Sequence, residues 1–508
     1  MPRSAPLLAA ILVLAVLGGL WSRTEPAPLG IYDQPFYLGI AFDLVHHGRF
    51  TDGYRFARSG PGGASGERPS SMRFTPLYPA LLAAGAVLDP AMRADMDCLV
   101  STGGGAGCGR HATPVRVLQF LLCCATGWLV WWQARLCTHR NRTAFLALGL
   151  FLLAAPTLLR SVDTLMTETA TLFLCVAAEA AALRAWCAAS GRGDRQGDRQ
   201  GDRPGDRQGW VALGLVLSGI LSALATLCRP GLEPVCLLAA LLGAAASLRR
   251  RTAGSDRHRF ARSAWLFGAG YAAALLPWLI RNALVCGRFS LTFGYASHTF
   301  VQRLSFDGMT PRELELAFVC WLPDGSGLGT LLSGSRTCDR FGWDDHPGSF
   351  YSIGLGPMLD STLRAAGGWD HHATYLVRTF LLADPVRQIG WHLLVTLPLL
   401  LRGMAVNHWW GVILGAVCIG ATARALVRRG EFDRRFLLVA LPPLALLALN
   451  AGVAVNQPRY NLLLLLPFAV AGARLLDRPR SAASATASGT VLPAVAPPSG
   501  PPENVPAS

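Results

Sequence analysis

The chain has 508 residues, of which 52% are hydrophobic and only 15% charged, and it carries a formal charge of +15. That balance excludes an ordinary soluble protein and fits a chain that crosses a membrane many times. The basic residues are all arginine. They fall in short loops between apolar runs, so membrane topology accounts for the positive charge and nucleic-acid binding is set aside.

Residues 5–21 (APLLAAILVLAVLGGLW) form the first apolar run, read as an uncleaved membrane helix because no A-x-A cleavage pattern follows. A long Pro/Gly-rich loop, 22–112, comes next. It opens on LGIYDQPFYLGIAFDLVHHGRF, which places Asp33, Tyr37, Asp43, His46 and His47 at the first membrane exit. Within the loop, PLYPALLAAGAVL (76–88) is short and reads as a membrane-surface helix. Further spans are expected at 114–134, 144–159, 167–187, 210–227, 231–248, 264–280, 409–426, 436–453 and 460–476, about ten in all. With the N-terminus inside, the arginines at 135–142, 249–262 and 428–435 also fall inside. The stretch 388–405 contains Pro398 and Arg402 and reads as interfacial, since a span there breaks the charge alternation.

The expected fold is therefore all-α and polytopic, with a transmembrane domain over 1–480 and two large outside loops, 22–112 and 281–408, bearing juxtamembrane helices. The tandem repeat GDRQGDRQGDRPGDRQ (193–208) lies in an inside linker, 191–209; glycine at every fourth residue disfavours helix there. The Pro/Ala/Ser-rich tail 481–508 reads as disordered. Cys98 and Cys108 share the first outside loop and Cys320 and Cys338 the second; each pair is either a disulfide or two free thiols, and spacing does not decide between them.

Polar groups near helix ends in a membrane are costly and need a reason. Asp33 leads the first loop; RFTPLYPALLA (73–83) follows with Arg73 and Tyr78; SVDTLMTE (161–168) puts Asp163 and Glu168 at the turn between the third and fourth spans. LATLCRPGLEP (224–234) carries Arg229, LPWLIRN (276–282) carries Arg281, and NQPRYNLLLLLP (456–467) carries Arg459 and Tyr460. The topology puts all of these on one side. Singly, each arginine reads as an interfacial side chain. Together they suit an anion and a polarised hydroxyl. No Cys/His spacing indicates a metal, and no P-loop or dinucleotide-binding glycine pattern occurs.

An outside loop opening with D-Q-x-x-Y-x-x-x-A-x-x-L-x-x-x-G and closing on P-L-Y-P resembles the GT-C superfamily of integral-membrane glycosyltransferases, in particular its protein O-mannosyltransferase and aminoarabinose-transferase branch. The C-R-P-G turn, the L-P-W-x-x-R-N helix end and the late R-Y segment are similar to that branch as well. Two features depart from it: Gln34 stands where the family often has a second acid, and Asn456, Gln457 and Pro458 stand where it often has an acid or histidine before Arg-Tyr. The resemblance implies transfer of a sugar from a polyprenyl-phosphate donor to a glycan, lipid or protein acceptor at the extracytoplasmic face of the plasma membrane, with inversion. It implies Asp33 as the base, Asp163 or Glu168 as a second acid toward the acceptor, and Arg229, Arg281 and Arg459 on the donor phosphate. Tyr37, Tyr78 and Tyr460 are expected to line the pocket. A divalent metal is left open, with the paired-acid site in doubt. A transporter or flippase of lipid-linked sugars is the rival, expected to place its polar groups at the bilayer midplane; a non-catalytic scaffold is the third reading.

Overall fold

The computed structural model describes residues 4–51, 70–102, 107–189, 204–237, 254–325, 331, 337–342, 346–428 and 430–477. It is an all-α, multi-pass membrane protein. Seven of its helices are long and apolar enough to cross a bilayer, or eight when one bent pair counts as a single span. The expected span at 231–248 lies outside the described residues beyond position 237, as do 193–203 of the repeat and the whole tail 481–508.

The first helix, α1 (Ala5–Trp21), packs against α5 (Thr113–Thr138) and α6 (Asn141–Leu152), and α5 packs in turn on α8 (Glu168–Ala189). α8 lies along α9 (Pro204–Cys228), and α9 along α10 (Gly254–Cys286). The closest approach here is backbone to backbone: a Cβ on Gly219 of α9 would stand 2.1 Å from the Phe267 carbonyl oxygen, and one on Gly270 of α10 would stand 2.3 Å from that of Val216. Small residues on both helices let them meet where lipid offers no hydrophobic driving force.

Two local readings change. The span expected over 144–159 is broken: α6 ends at Leu152 and α7 (Ala155–Asp163) leaves at 55°. Pro156 sits in the first turn of α7, where it lacks the N–H that would continue α6. The helix α9 reaches back to Pro204, so the last repeat copy is helical; the apolar span propagates into it despite its glycine.

The first outside loop folds into α2 (Gln34–His47), α3 (Leu77–Leu88) and α4 (Pro90–Ser101), which pack on one another around Leu38, Tyr78, Leu82 and Met92. Cys98 and Cys108 form a disulfide with Cα atoms 5.7 Å apart. The second loop holds α11 (Tyr295–Leu304), α12 (Pro311–Cys320), α13 (Phe350–Leu355), α14 (Pro357–Ala366), α15 (Trp369–Phe380) and α16 (Pro385–Met404). Cys320 and Cys338 are bonded as well, with Cα atoms 5.5 Å apart. Both pairs left open by the spacing are thus disulfides.

A fully buried arginine anchors this second loop to the bundle. Arg303 bonds Asp307 at 2.7 Å, the Ala451 carbonyl at 2.7 Å, the His392 carbonyl at 2.9 Å and the Thr396 hydroxyl at 3.0 Å. Asp307 also holds the His392 ring at 2.7 Å. Ala451 lies near the C-terminal end of α18 (Glu431–Val453), which packs beside α17 (His408–Arg428). α19 (Leu465–Leu476) closes the bundle against α6 and α17.

Candidate functional site

Four charged residues separated by more than four hundred positions meet at one end of the bundle. Glu168 opens α8, where a carboxylate suits the positive end of the helix dipole. Arg229 follows directly on the C-terminus of α9, which runs antiparallel to α8. Its Nη1 stands 3.7 Å from Glu168 Oε1. Arg459, in the 3₁₀ turn Pro458–Leu464, places Nε 3.9 Å from the same oxygen and Nη2 3.5 Å from Asp33 Oδ2. The result is an alternating row, Arg229–Glu168–Arg459–Asp33. The spacings are those of ion pairs rather than of hydrogen bonds.

The members of the row differ in solvent access. The Glu168 side chain is 4% exposed, whereas that of Asp33 is 47% exposed. Glu168 Oε2 is buried with no hydrogen-bond partner among the described residues. Asp33 stands at the N-cap of α2, where its carbonyl accepts from Phe36 N–H at 3.2 Å and its side chain makes no capping hydrogen bond. Tyr460 lies under both cations, its ring centroid 4.3 Å from the Arg229 guanidinium carbon and 5.4 Å from that of Arg459. For Arg229, burial works against the charge, but Glu168 and the phenols of Tyr460, Tyr295 and Tyr37 outweigh it and hold the guanidinium protonated. Tyr37 is driven well above the usual phenol range by burial and by Asp33. Tyr295 is pushed up to about 12 by burial, opposed by Arg229. Both phenols are therefore neutral donors at physiological pH.

Against the row lies a cavity of about 20 Å³, lined by Glu168, Arg229 and Arg459 and by the apolar Leu172, Leu232 and Leu446. The site thus joins a charged row to an apolar wall at one end of the spans.

A ladder of buried amides sets Arg459 in place. Asn450 donates to Asn461 at 3.1 Å, and Asn461 donates to Asn456 at 2.7 Å. Asn456 itself donates to the Leu399 carbonyl at 2.6 Å. Gln457 Oε1 then accepts from Arg459 Nε at 2.6 Å. Asn456 takes a left-handed φ of 44°, and Tyr32, next to Asp33, one of 56°. Left-handed non-glycine backbone marks sites where surrounding structure enforces a costly conformation. Asn456 and Gln457 thus set the backbone and the side-chain partner that aim the arginine. Gln34 is likewise a strut: it donates to the Pro28 and Ile31 carbonyls at 3.0 Å each and accepts from Leu165 N–H at 2.8 Å.

Other sequence-chosen residues sit elsewhere. Asp163 accepts from the Trp21 indole at 3.0 Å and ties α1 to α7; the structure does not join it to the row. Arg281 donates to the carbonyls of Ser71 at 2.8 Å and Phe50 at 3.2 Å, and to Asn282 at 3.0 Å. Trp278 and Phe50 flank it, with centroids 4.9 and 5.6 Å away. It clamps the two stems of the first loop and is not in the row. Tyr78 is 1% exposed and donates to Gln119 at 2.9 Å. It meets Tyr37 edge to face at 5.4 Å. Asp43 is held by the Thr51 hydroxyl, and His46 pairs with Asp97 at 2.9 Å. No group of three or more His, Cys, Asp or Glu side chains among the described residues is placed to hold a metal ion. The row's two carboxylates face arginines.

Fold and charge row together define a multi-pass membrane protein with a cluster of ion pairs at one end of its helix bundle. No protein-family model matches the chain, and no curated protein sequence matches it. Among solved structures, it is similar to the apo oligosaccharyltransferase of Archaeoglobus fulgidus, at 15% identity and a TM-score of 0.46 over 93% of this chain and 50% of that one. It is also similar to ArnT of Cupriavidus metallidurans bound to undecaprenyl phosphate, at 14% identity and a TM-score of 0.33 over 93% of this chain and 79% of that one. The apo state of the same ArnT gives 16% identity and a TM-score of 0.31 over 91% and 77%. The chain spans half the length of the archaeal oligosaccharyltransferase.

Proposed function

We propose that the chain is a glycosyltransferase that moves a sugar from a polyprenyl-phosphate donor to an acceptor hydroxyl at the extracytoplasmic face of the plasma membrane. The observation that carries this reading is the row Arg229–Glu168–Arg459–Asp33, with its solvent-accessible acid at one end and an apolar wall against it. The two disulfides support an oxidising side for both outside loops.

Asp33 is the base. It takes the acceptor proton as the oxygen attacks the anomeric carbon, and the bond from that carbon to the phosphate oxygen breaks on the opposite face, which gives inversion. The phosphodiester donor carries one negative charge and the leaving polyprenyl phosphate gains a second. At the same moment Asp33 becomes neutral and stops competing for Arg459. Proton transfer therefore releases a cation where the leaving group needs it. Arg229 supplies the second cation: its side chain makes no hydrogen bond among the described residues, so its donors are uncommitted. Glu168 is a positioning residue that holds both arginines in place. Tyr37 and Tyr460 line the site, and Arg281 and Asp163 serve the scaffold. The acceptor is an envelope glycan, lipid or protein.

The test is transfer from labelled polyprenyl-phosphate sugars to crude envelope acceptor by the purified protein in lipid. Asp33→Asn is expected to lower turnover by about 10²–10⁴-fold with donor binding retained, the usual worth of a positioned base. Undiminished turnover in that variant would remove Asp33 from the chemistry. Absence of transfer together with translocation of lipid-linked sugar in vesicles would establish the flippase instead.

A further inference from the structure

Nine buried side-chain polar atoms among the described residues have no hydrogen-bond partner. Six of them fall on one line through the bundle: Glu168 Oε2, Thr171 Oγ1, both carboxyl oxygens of Glu179, Gln133 Oε1 and Arg435 Nε. Buried polar atoms are normally paired, so a run of unpaired ones along one path needs a common cause.

The line starts at the charge row. Glu168, Thr171, Cys175 and Glu179 recur at three- and four-residue steps and so share one face of α8. The cavity against the row continues along that face, lined by Glu168, Thr171 and Cys175, and its volume of about 20 Å³ is enough for one water molecule. Glu179 follows one turn on. At 1.5 Å per residue it lies about 16 Å along the helix from Glu168, about half the depth of a hydrocarbon core. Cys175 stands between the two levels, within range of the charges of both Arg229 and Glu179.

Beyond Glu179 the line passes to α5. Gln133 donates to the Val176 carbonyl at 2.9 Å, one turn from Glu179, and leaves its own oxygen unpaired. Cys137, one turn further along α5, is within range of both Glu179 and Arg435. Arg435 sits in the first turns of α18, whose other end bears Asn450 of the amide ladder. It donates to the Leu136 carbonyl at 2.7 Å, to His139 and to Glu431, whose side chain is 46% exposed. The line therefore runs from the row to a solvent-accessible acid at the far end. The arginine at each end is balanced by an acid, Arg229 by Glu168 and Arg435 by Glu431.

Intramembrane carboxyls are costly and mark ion or proton paths. The segment that follows Cys236, LLAALLGAAA (237–246), carries no polar side chain to pair with Glu179. The described residues hold no group of three or more His, Cys, Asp or Glu placed for a metal ion. A proton is the ion that one carboxyl, one amide and intervening water can pass.

We propose that this line is a proton path across the bundle, in which Glu179 takes up a proton from the hydrated side of one end and hands it on toward the other. Uptake forms one O–H bond at the carboxylate and breaks one on the donating water; release reverses both, so no redox partner is needed. Gln133 Oε1 accepts from the carboxyl O–H and orients it. The path is independent of the glycosyl-transfer reading.

The experiment is proton flux into liposomes that hold the reconstituted full chain and the pH dye pyranine, driven by a potassium diffusion potential set with valinomycin. No polyprenyl lipid or sugar is present, so the outcomes are separate from those of the transfer assay. Vesicles bearing the wild type should acidify faster than protein-free vesicles. Glu179→Gln should return the rate to the protein-free level, and Glu179→Asp should restore part of it. Dicyclohexylcarbodiimide, an apolar reagent that adds to a protonated carboxyl, should label Glu179 in peptide mass spectra and stop the flux. Where Glu179→Gln loses its melting transition, Gln133→Leu gives the reading instead: flux should fall while Glu179 is still labelled. Wild-type vesicles that acidify no faster than protein-free ones, undiminished flux in the folded variant, or no label on Glu179 would each overturn the proposal.

Discussion

Arg229 and Arg281 are equals in the sequence, each an arginine beside a proline-containing apolar helix end on the same side. In the structure they occupy two different kinds of region. Around Arg281, Phe50, Ser71 and Asn282 engage the guanidinium at hydrogen-bonding distance, and two aromatic rings flank it. Around Arg229, the nearest acid is 3.7 Å away and an aromatic ring supports the cation from below. A guanidinium has five donors. Where they are already spent on carbonyls, the residue is part of the frame; where they are held by charge alone, they remain available to a ligand.

Six substitutions break or sharpen that contrast. The largest effect is expected from Glu168→Gln, which removes the carboxylate shared by the two arginines; transfer should fall about 10²-fold or more, as removal of a preorganised electrostatic group does, read as kcat at saturating donor. Arg229→Gln and Arg281→Gln form the direct comparison. The first should lower kcat/KM for the donor by roughly 10–100-fold with melting temperature unchanged, the worth of a charge-assisted phosphate contact. The second should keep donor KM and cost about 1–3 kcal/mol of stability, because the Phe50 and Ser71 carbonyls lose their partner. The same donor KM loss in both variants would erase the distinction.

Asn461→Ala should cost about 1–2 kcal/mol for the broken amide ladder and lower transfer through misaimed Arg459. Arg459→Gln in the same background should then add little, since both act on one unit. The smallest effect is a pH slope. His298 has its folded value depressed to about 4 from 6.5, so the unfolded chain binds the proton first. Stability from this group is present above about pH 6.5 and is lost as pH falls toward 4. Thermal melting between pH 7 and 4.5 should show that loss, and His298→Gln should flatten it.

The all-helical architecture was legible because apolar runs of span length announce themselves. Proline and glycine marked turns well, yet the break at Pro156 was read through as one span, since the apolar run continues across it. Of the site, Asp33, Glu168, Arg229, Arg459 and Tyr460 were all readable as polar groups on one side. The amide ladder was not, because asparagines at 450, 456 and 461 carry no charge and resemble ordinary turn residues. Arg303 escaped notice for a similar reason: the partners it requires lie at 307, 392, 396 and 451. Glu179 escaped notice because a single acid inside a long apolar run reads as part of the span, and Gln133 and Arg435 reach its line from other helices.

By itself the sequence determined the helical, multi-pass class of molecule and the set of polar residues from which a site is drawn, because hydropathy and charge act locally along the chain. Which arginines face a ligand and which hold the frame was decided only by the tertiary structure. Asp163 and Glu168 make the same point five residues apart: one is engaged by an indole from α1, the other stands between two cations. Nothing in their spacing separates them. What separates them is which distant donor the packed helices bring within reach.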